Sequence, residues 1–470
     1  MEHAIETNIA VLGGGPGGYT AAFRAADLGL SVCLIEQGLR LGGVCLHAGC
    51  IPSKTLLHAA TAFEEARAGA AFGLRFDGLR IDIEPLRAHK TKIIEQLAGG
   101  LDNLAKARTI TRLTGRGRFT GDQTLVVDSP VGSTRVRFSQ AIIATGSHPT
   151  SLVTAPRDPR IWDSTVALAL PAVPPRLLIV GGGIIGLEMA QVYHALGAGI
   201  TMVETESQII PVADRDLVQP LFLQLKNKYR IWTGTRVATM TARPEGIEVA
   251  LTGGTEAIEL FDAVLVAVGR RPNLEGIGLS ALGLAPDQQG RLVVDGQLRT
   301  ARSHIFAIGD VTEGPMLAHK AIHQGKTAAE VIAGLPATFA PVAIPSVAYT
   351  NPEVAWVGLT EREAARQGIA CVKGKFPWGA SGRALTAGAG NGVSKALFAG
   401  AGGHLLGAGI CGLNAGELIH EAALALSLGA TAETIARTVH AHPTLAETFA
   451  GAAGVVCGSA TDLLPSKPRK

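Results

Sequence analysis

Cysteine is scarce in this chain, with six among 470 residues. That is too sparse for a disulfide-stapled scaffold, so a close pair in a cytosolic protein reads as catalytic or metal-binding. Charge excess is missing as well: 42 basic residues face 39 acidic ones, for a formal net charge of +3. No basic block marks a nucleic-acid partner, and Ser466-Lys467-Pro468-Arg469-Lys470 reads as a solvated tail. Long apolar runs are absent. The most apolar stretches, Leu177 to Leu187 and Met189 to Val203, are broken by glycines and by Glu188, Tyr193 and His194, so no membrane span is expected. Met1 to Asn8 carries charges and no apolar signal core, which points to a cytoplasmic protein. The length leaves room for about three domains, each with its own core.

Against these absences stand two copies of one pattern. Asn8 to Leu12 is a short apolar strand, followed by Gly13-Gly14-Gly15-Pro16-Gly17-Gly18, an alanine-rich helix to Leu28, and a strand from Ser31 to Ile35 that ends at Glu36. This is the dinucleotide fingerprint: Gly13 makes the tight turn and Gly15 admits the pyrophosphate to the backbone. Gly18 permits close helix–strand packing, while Glu36 takes a ribose hydroxyl. The helix N-terminus offers N–H groups and positive potential to the phosphates. The pattern recurs at Leu177 to Val180, Gly181-Gly182-Gly183-Ile184-Ile185-Gly186, a helix from Leu187 to Leu196, and a strand Ile200 to Val203 ending at Glu204. Gly181, Gly183 and Gly186 take the same three roles. A carboxylate at Glu204 accepts from a free 2′-hydroxyl and repels a 2′-phosphate, so the second site reads as NAD rather than NADP.

Between the copies lies Gly42-Gly43-Val44-Cys45-Leu46-His47-Ala48-Gly49-Cys50-Ile51-Pro52-Ser53-Lys54. Positions i and i+5 of an ideal helix are about 140° out of phase, so bridging Cys45 and Cys50 needs a distorted turn, which Gly49 and Pro52 can permit. A bridge closed with strain is easier to reduce than a relaxed one. Zinc is disfavoured because no second Cys/His pair stands at ligand spacing, and no metal is expected. Cys33, Cys371, Cys411 and Cys457 read as small core or boundary residues. Two dinucleotide sites and a cysteine pair fit electron passage between a dithiol, a flavin and a nicotinamide. The pair follows the first site, so FAD belongs there and NAD in the second. A later apolar strand ending in Gly309-Asp310 brings another carboxylate to the flavin site.

With these motifs the chain resembles the dihydrolipoyl dehydrogenases of the class-I pyridine nucleotide–disulfide oxidoreductase family over essentially its full length. Further motifs carrying the likeness are Ala144-Thr145-Gly146, Val268-Gly269-Arg270, Pro315-Met316-Leu317-Ala318-His319-Lys320, Tyr349 to Gly358, and His440-Ala441-His442-Pro443-Thr444-Leu445-Ala446-Glu447. Arg160-Ile161-Trp162-Asp163-Ser164 is similar to proteobacterial members that serve 2-oxo acid dehydrogenase complexes. The resemblance implies a homodimer whose active site takes His442 and Glu447 from the partner chain and meets the lipoyl domain of such a complex. It makes Cys45 the sulfur that exchanges with substrate and Cys50 the one nearest the flavin. Lys54 stands by the isoalloxazine, paired with Glu188. Gly43, Gly117, Thr145, Gly146, Asp310 and Ala318 join the FAD contacts, and Val237 and Gly269 the NAD contacts. A histidine near its ordinary pKa suits proton transfer with a dithiol, and a carboxylate beside it strengthens it as a base. His440 is expected to be structural.

Two positions depart from the family. His47 stands where asparagine is usual; it either favours a thiolate or points to solvent and changes little. Gln324 stands where glutamate is more frequent, keeping the shape and losing a charge. Three rivals remain: a glutathione-type reductase, disfavoured by Glu204-Thr205-Glu206; a mercuric reductase, which would add a C-terminal cysteine pair; and a non-catalytic FAD-binding scaffold, which would not need Cys45, Cys50 or His442. The expected fold is α/β, with an FAD domain at 1–148, an NAD domain at 149–270, a central domain at 271–345 completing the FAD site, and a C-terminal α+β dimerisation domain at 346–470. No lipoyl domain is expected ahead of Met1. The Ala/Gly-rich run from Ala384 to Gly409 is expected to form antiparallel strands through Val393, Ala396, Leu397 and Phe398.

Overall fold

A computed structural model describes residues 4–400 and 402–464. The first sheet has seven strands. From one edge inward, Thr111–Thr114, Val32–Glu36, Ala4–Leu12 and Gly132–Ile143 run parallel side by side. Ile9 to Leu12 and Val32 to Ile35 are buried throughout, as strands covered on both faces require. The first strand begins at Ala4, earlier than its apolar run, because Ile5 and Thr7 continue the pairing with Gly132–Ile143. That long strand uses its other edge twice. Thr124–Ser129 pairs antiparallel with its first half and Ile305–Ala307 parallel with its last residues. The chain thus returns to the first sheet just before Asp310.

The excursion in between builds a second, all-parallel sheet in the order Arg230–Trp232, Gly199–Val203, Arg176–Val180, Ala263–Val266 and Ile161–Trp162. A three-stranded antiparallel sheet, Thr235–Arg243, Gly246–Gly253 and Ala257–Phe261, is attached to it. Exit and return lie together, because Ser147–Pro149 pairs antiparallel with Arg270–Pro272. The helix after the second glycine turn spans Ile184–Ala195, starting directly at Gly183 rather than at Leu187, since the turn delivers helical geometry at once.

The C-terminal sheet is antiparallel, in the order Ser346–Ala348, Glu353–Gly358, Leu405–Gly412, Val393–Ala399 and Cys371–Pro377. The Ala/Gly-rich run does form strands, preceded by the short helix Gly382–Thr386. Small residues are needed there. A Cβ on Gly407 would lie 2.1 Å from the Leu359 carbonyl oxygen. On the neighbouring strand Cys371–Pro377, one on Gly374 would lie 1.9 Å from the Ala452 carbonyl oxygen, so glycine there lets helix Glu447–Cys457 lie on it. Where helix Arg215–Leu225 meets the sheet, buried Lys395 donates to Asp214 and Asp216 at 2.7 Å each and to Glu361. Its ammonium fills the space those carboxylates would offer a cation. Among the described residues, no helix is long and apolar enough to cross a membrane.

Candidate active site

The two glycine turns have matching geometry. Gly13 and Gly181 have φ of +112° and +113°, in a region open to glycine. A Cβ on Gly18 would lie 1.8 Å from the Gly13 oxygen, and one on Gly186 2.1 Å from the Gly181 oxygen. Glu36 accepts from the Gly14 and Gly38 N–H groups at 2.7 and 2.8 Å. Glu204, buried, accepts from Gly182 and Glu206 at the same two distances. Helices Pro16–Asp27 and Ile184–Ala195 start at Gly15 and Gly183 without a side-chain cap, whereas Asp163, Thr360, Ser381 and Thr431 each cap a helix elsewhere. A Cβ on Gly183 would meet nothing within 4 Å, and one on Gly15 only the Gly43 Cα at 3.8 Å. Uncapped N–H groups beside open space fit a pyrophosphate at both turns.

Of the remaining expected cofactor residues, Gly43 and Thr145 border the first turn. Gly43 packs on the first, since its Cβ would lie 2.6 Å from the Gly15 Cα. Gly117 is buried against Leu12. Thr145 donates to the Asn273 carbonyl at 2.6 Å, and Gly146 is left-handed with φ +71°. Asp310 accepts from Ser147 Oγ at 2.6 Å, and Arg270 donates to that same oxygen at 2.7 Å. Ala318 opens helix Ala318–Ile332. On the second side, Val237 lies on the strand opposite Leu251, and Gly269, with φ +118°, precedes the ribbon that leads back to the first sheet.

The cysteines sit on consecutive helices. Gly43–Ala48 ends at Gly49, whose φ of −150° and ψ of −110° are not helical, and Cys50 opens the long helix Cys50–Ala68. The distortion falls on Gly49 alone. Pro52 lies in the new helix's first turn, where its missing N–H costs nothing. Both cysteines are free thiols, partly buried, and hydrogen-bonded to each other. That bond draws the Cys50 thiol down to about 7; Lys54 adds to the effect and burial opposes it. Its place at a helix N-terminus favours the same charge. Cys45, giving its proton to that bond and partly buried, is pushed well up. The pair therefore shares one proton, with the negative charge on Cys50.

Lys54 and Glu188 meet as expected, at 2.9 and 3.0 Å, and Glu188 is buried. Three contacts were not legible beforehand. Ser53 Oγ donates to Glu188 at 2.7 Å, the Tyr349 N–H donates to it at 3.2 Å, and the Tyr349 ring lies under the Lys54 ammonium at 4.4 Å. Ser53 could have been suggested by its position next to Lys54; Tyr349 gave no signal beyond its place in a quoted motif. His47 is exposed as a residue, but its ring Nε2 bonds the Leu41 carbonyl at 2.9 Å rather than pointing to solvent. Gln324, buried, accepts from the Gly309 N–H at 2.7 Å, so the amide does keep a carboxylate's shape. Nearby Lys320 rests on oxygens of Thr312 and Glu313, and burial pushes its ammonium down to about 8.

His442 and Glu447 lie apart from the thiols. The His442 side chain is 80% exposed, and its Nδ1 meets Glu447 Oε1 at 2.9 Å. Burial of Glu447 is outweighed by the Thr444 N–H and His442, which hold its carboxyl below the usual range. Among the described residues, no hydrogen bond or ion pair joins His442 or Glu447 to either cysteine. His440 instead bonds Glu421 at 2.7 Å with its side chain mostly buried.

Known proteins with these features define a class. Residues 7–325 match the family model for pyridine nucleotide-disulphide oxidoreductases, and residues 344–453 match that family's dimerisation domain. The chain belongs to this family, and its match to the dimerisation domain supports a homodimer. Full-length relatives narrow the place within it. The dihydrolipoyl dehydrogenase of Vibrio cholerae is 49% identical, with both chains covered completely. That of Haemophilus influenzae is 48% identical, covering 100% of this chain and 99% of its own. The chain sits among the dihydrolipoyl dehydrogenases, a family that uses FAD and NAD. Among solved structures, LpdA from Mycobacterium tuberculosis superposes with a TM-score of 0.88 at 25% identity, covering 95% of this chain and 99% of that one. The Cu(II) complex of the HOCl-induced flavoprotein disulfide reductase RclA from Escherichia coli gives 0.86 at 25% identity, covering 96% and 99%.

Proposed function

We propose that this protein oxidises protein-bound dihydrolipoyl groups to the disulfide and passes the electron pair to NAD. The observation that carries this reading is the Cys45–Cys50 pair, set at a helix start beside Lys54 and Glu188, with an uncapped dinucleotide turn on either side in sequence. In the resting enzyme the two cysteines form a disulfide. His442 of the partner subunit, oriented by Glu447, takes a proton from one substrate thiol. The resulting thiolate attacks Cys45, which breaks the Cys45–Cys50 bond, forms a mixed disulfide and leaves Cys50 as a thiolate. The second substrate thiol, its proton passing to the departing Cys45 sulfur, then closes the substrate's own disulfide, which leaves Cys45 as a thiol beside the Cys50 thiolate. Lys54 and the helix N-terminus hold the charge on Cys50 meanwhile. FAD held beside this pair would supply the two-electron acceptor by which the reduced cysteines close again to the disulfide, and the route onward to NAD.

In this reading Gly13, Gly15, Gly18, Glu36, Gly43, Lys54, Gly117, Thr145, Gly146, Asp310 and Ala318 hold FAD. NAD is held by Gly181, Gly183, Gly186, Glu204, Val237 and Gly269. The buried Glu204 carboxylate, accepting from the Gly182 and Glu206 N–H groups, supports NAD because it would repel a 2′-phosphate. Residues 1–148, 149–270, 271–345 and 346–470 serve as the FAD, NAD, central and dimerisation domains. The partner is the lipoyl domain of a 2-oxo acid dehydrogenase complex in the cytoplasm. The test is NADH formation from dihydrolipoamide, repeated with NADP, beside NADPH-driven reduction of glutathione disulfide. Strong turnover with dihydrolipoamide and NAD only is expected. NADPH-driven reduction of glutathione disulfide without dihydrolipoamide turnover would overturn the reading.

A further inference from the structure

Glu188 and Gln191 stand one turn apart on helix Ile184–Ala195, and each is held from two sides. The redox helix contributes Ser53 and Lys54 to Glu188, and Thr61 Oγ1 accepts from Gln191 Nε2 at 3.2 Å. The segment leading into the C-terminal sheet contributes the Tyr349 N–H to Glu188 and the Asn351 N–H, at 2.7 Å, to Gln191. Three separate parts of the chain are stitched together at this point, and the Tyr349 ring lies within the junction, under the Lys54 ammonium.

Lys54 is therefore held by a carboxylate and by a ring face, and the two differ in what they do to the sulfurs. A carboxylate fixes the ammonium and also cancels much of its field. A ring face attracts a cation through its quadrupole and adds no opposing formal charge. We propose that Tyr349 is a positioning residue of the redox centre, whose ring holds the Lys54 ammonium where its charge supports a thiolate on Cys50. It acts through Lys54 and does not touch the reacting sulfurs. Other charged and titratable groups converge on the same place: Glu188 from its helix, Glu353 and Glu417 from the C-terminal sheet and its helix, Arg270 from the ribbon and Tyr19 from the first glycine-turn helix. Among the described residues, the ring over which Lys54 lies is that of Tyr349, not Tyr19. Burial first, and then the three glutamates, push the Tyr349 phenol up, so the ring stays neutral and keeps its attraction for a cation.

The inference rests on the dithiol reading for the identity of the two sulfurs, and its test needs no lipoyl substrate. In the reduced holoenzyme, the rate of thiol alkylation by iodoacetamide is followed against pH. Tyr349→Phe keeps the ring and is expected to keep the wild-type midpoint. Tyr349→Leu removes it and is expected to raise the midpoint by about half a pH unit, the worth of a typical cation–π contact. In a Lys54→Met background, Tyr349→Leu is expected to produce no further shift. Tyr349→Met carries the same expectation as the leucine variant and supplies the result if that variant does not fold. An unchanged midpoint on loss of the ring, an equal shift in Tyr349→Phe, or a further shift in the Lys54→Met background would overturn the proposal. Failure of wild-type turnover with dihydrolipoamide would overturn the proposed function and leave this result standing.

Discussion

Cys50 receives a hydrogen bond from Cys45, the charge of Lys54 one turn along its helix, and the positive end of that helix, all favouring its thiolate. Burial and Glu188 work against them, and the balance falls at about 7. Raising the pH through that value removes the first of the pair's two protons, leaving a thiolate on Cys50 and the remaining proton shared with Cys45. Alkylation of the reduced protein is thus expected to rise through a midpoint near pH 7, well below that of an ordinary thiol. Lys54→Met should move the midpoint up by about one unit, the low end of what a nearby opposite charge supplies. An unmoved midpoint in that variant would remove Lys54 from the account. At this scale the sequence was most legible where a residue type is dictated by chemistry: Cys45, Cys50, Lys54 and Glu188 come together as the motif implied. His47 was undecided in one dimension, because only the fold shows that its ring turns to the Leu41 carbonyl.

Strands and helices of the two dinucleotide units follow from local rules, namely apolar runs bounded by glycine turns. Their close packing rests on Gly18 and Gly186, where a side chain would collide with the turn's own carbonyl. Gly186→Ala is therefore expected to leave FAD bound while weakening NAD about tenfold, an overpacking cost of about 1.4 kcal/mol. Flavin absorbance after gel filtration, beside an NAD titration, checks both halves; loss of FAD together with NAD would contradict independent sites. What could not be read was long-range. The ribbon of Ser147–Pro149 with Arg270–Pro272, and the meeting of Tyr349 and Asn351 with Glu188 and Gln191, join segments far apart in the chain. No periodicity or local propensity records such pairings.

At the level of the whole molecule, one subunit holds both halves of the proposed site but not together. The thiols lie beside Lys54 and Glu188, while His442 faces outward on the C-terminal domain with Glu447 behind it. The proposed function requires a two-fold dimer in which each chain's His442 serves its partner's Cys45. The most direct test is NADH formation from dihydrolipoamide by mixed dimers of a Cys45→Ser chain and a His442→Gln chain. Each variant alone should be nearly inactive. Random reassortment should restore about a quarter of wild-type turnover, since half the dimers are hybrids with one intact site of two. No recovery in proven hybrids, or full turnover by His442→Gln alone, would contradict the account.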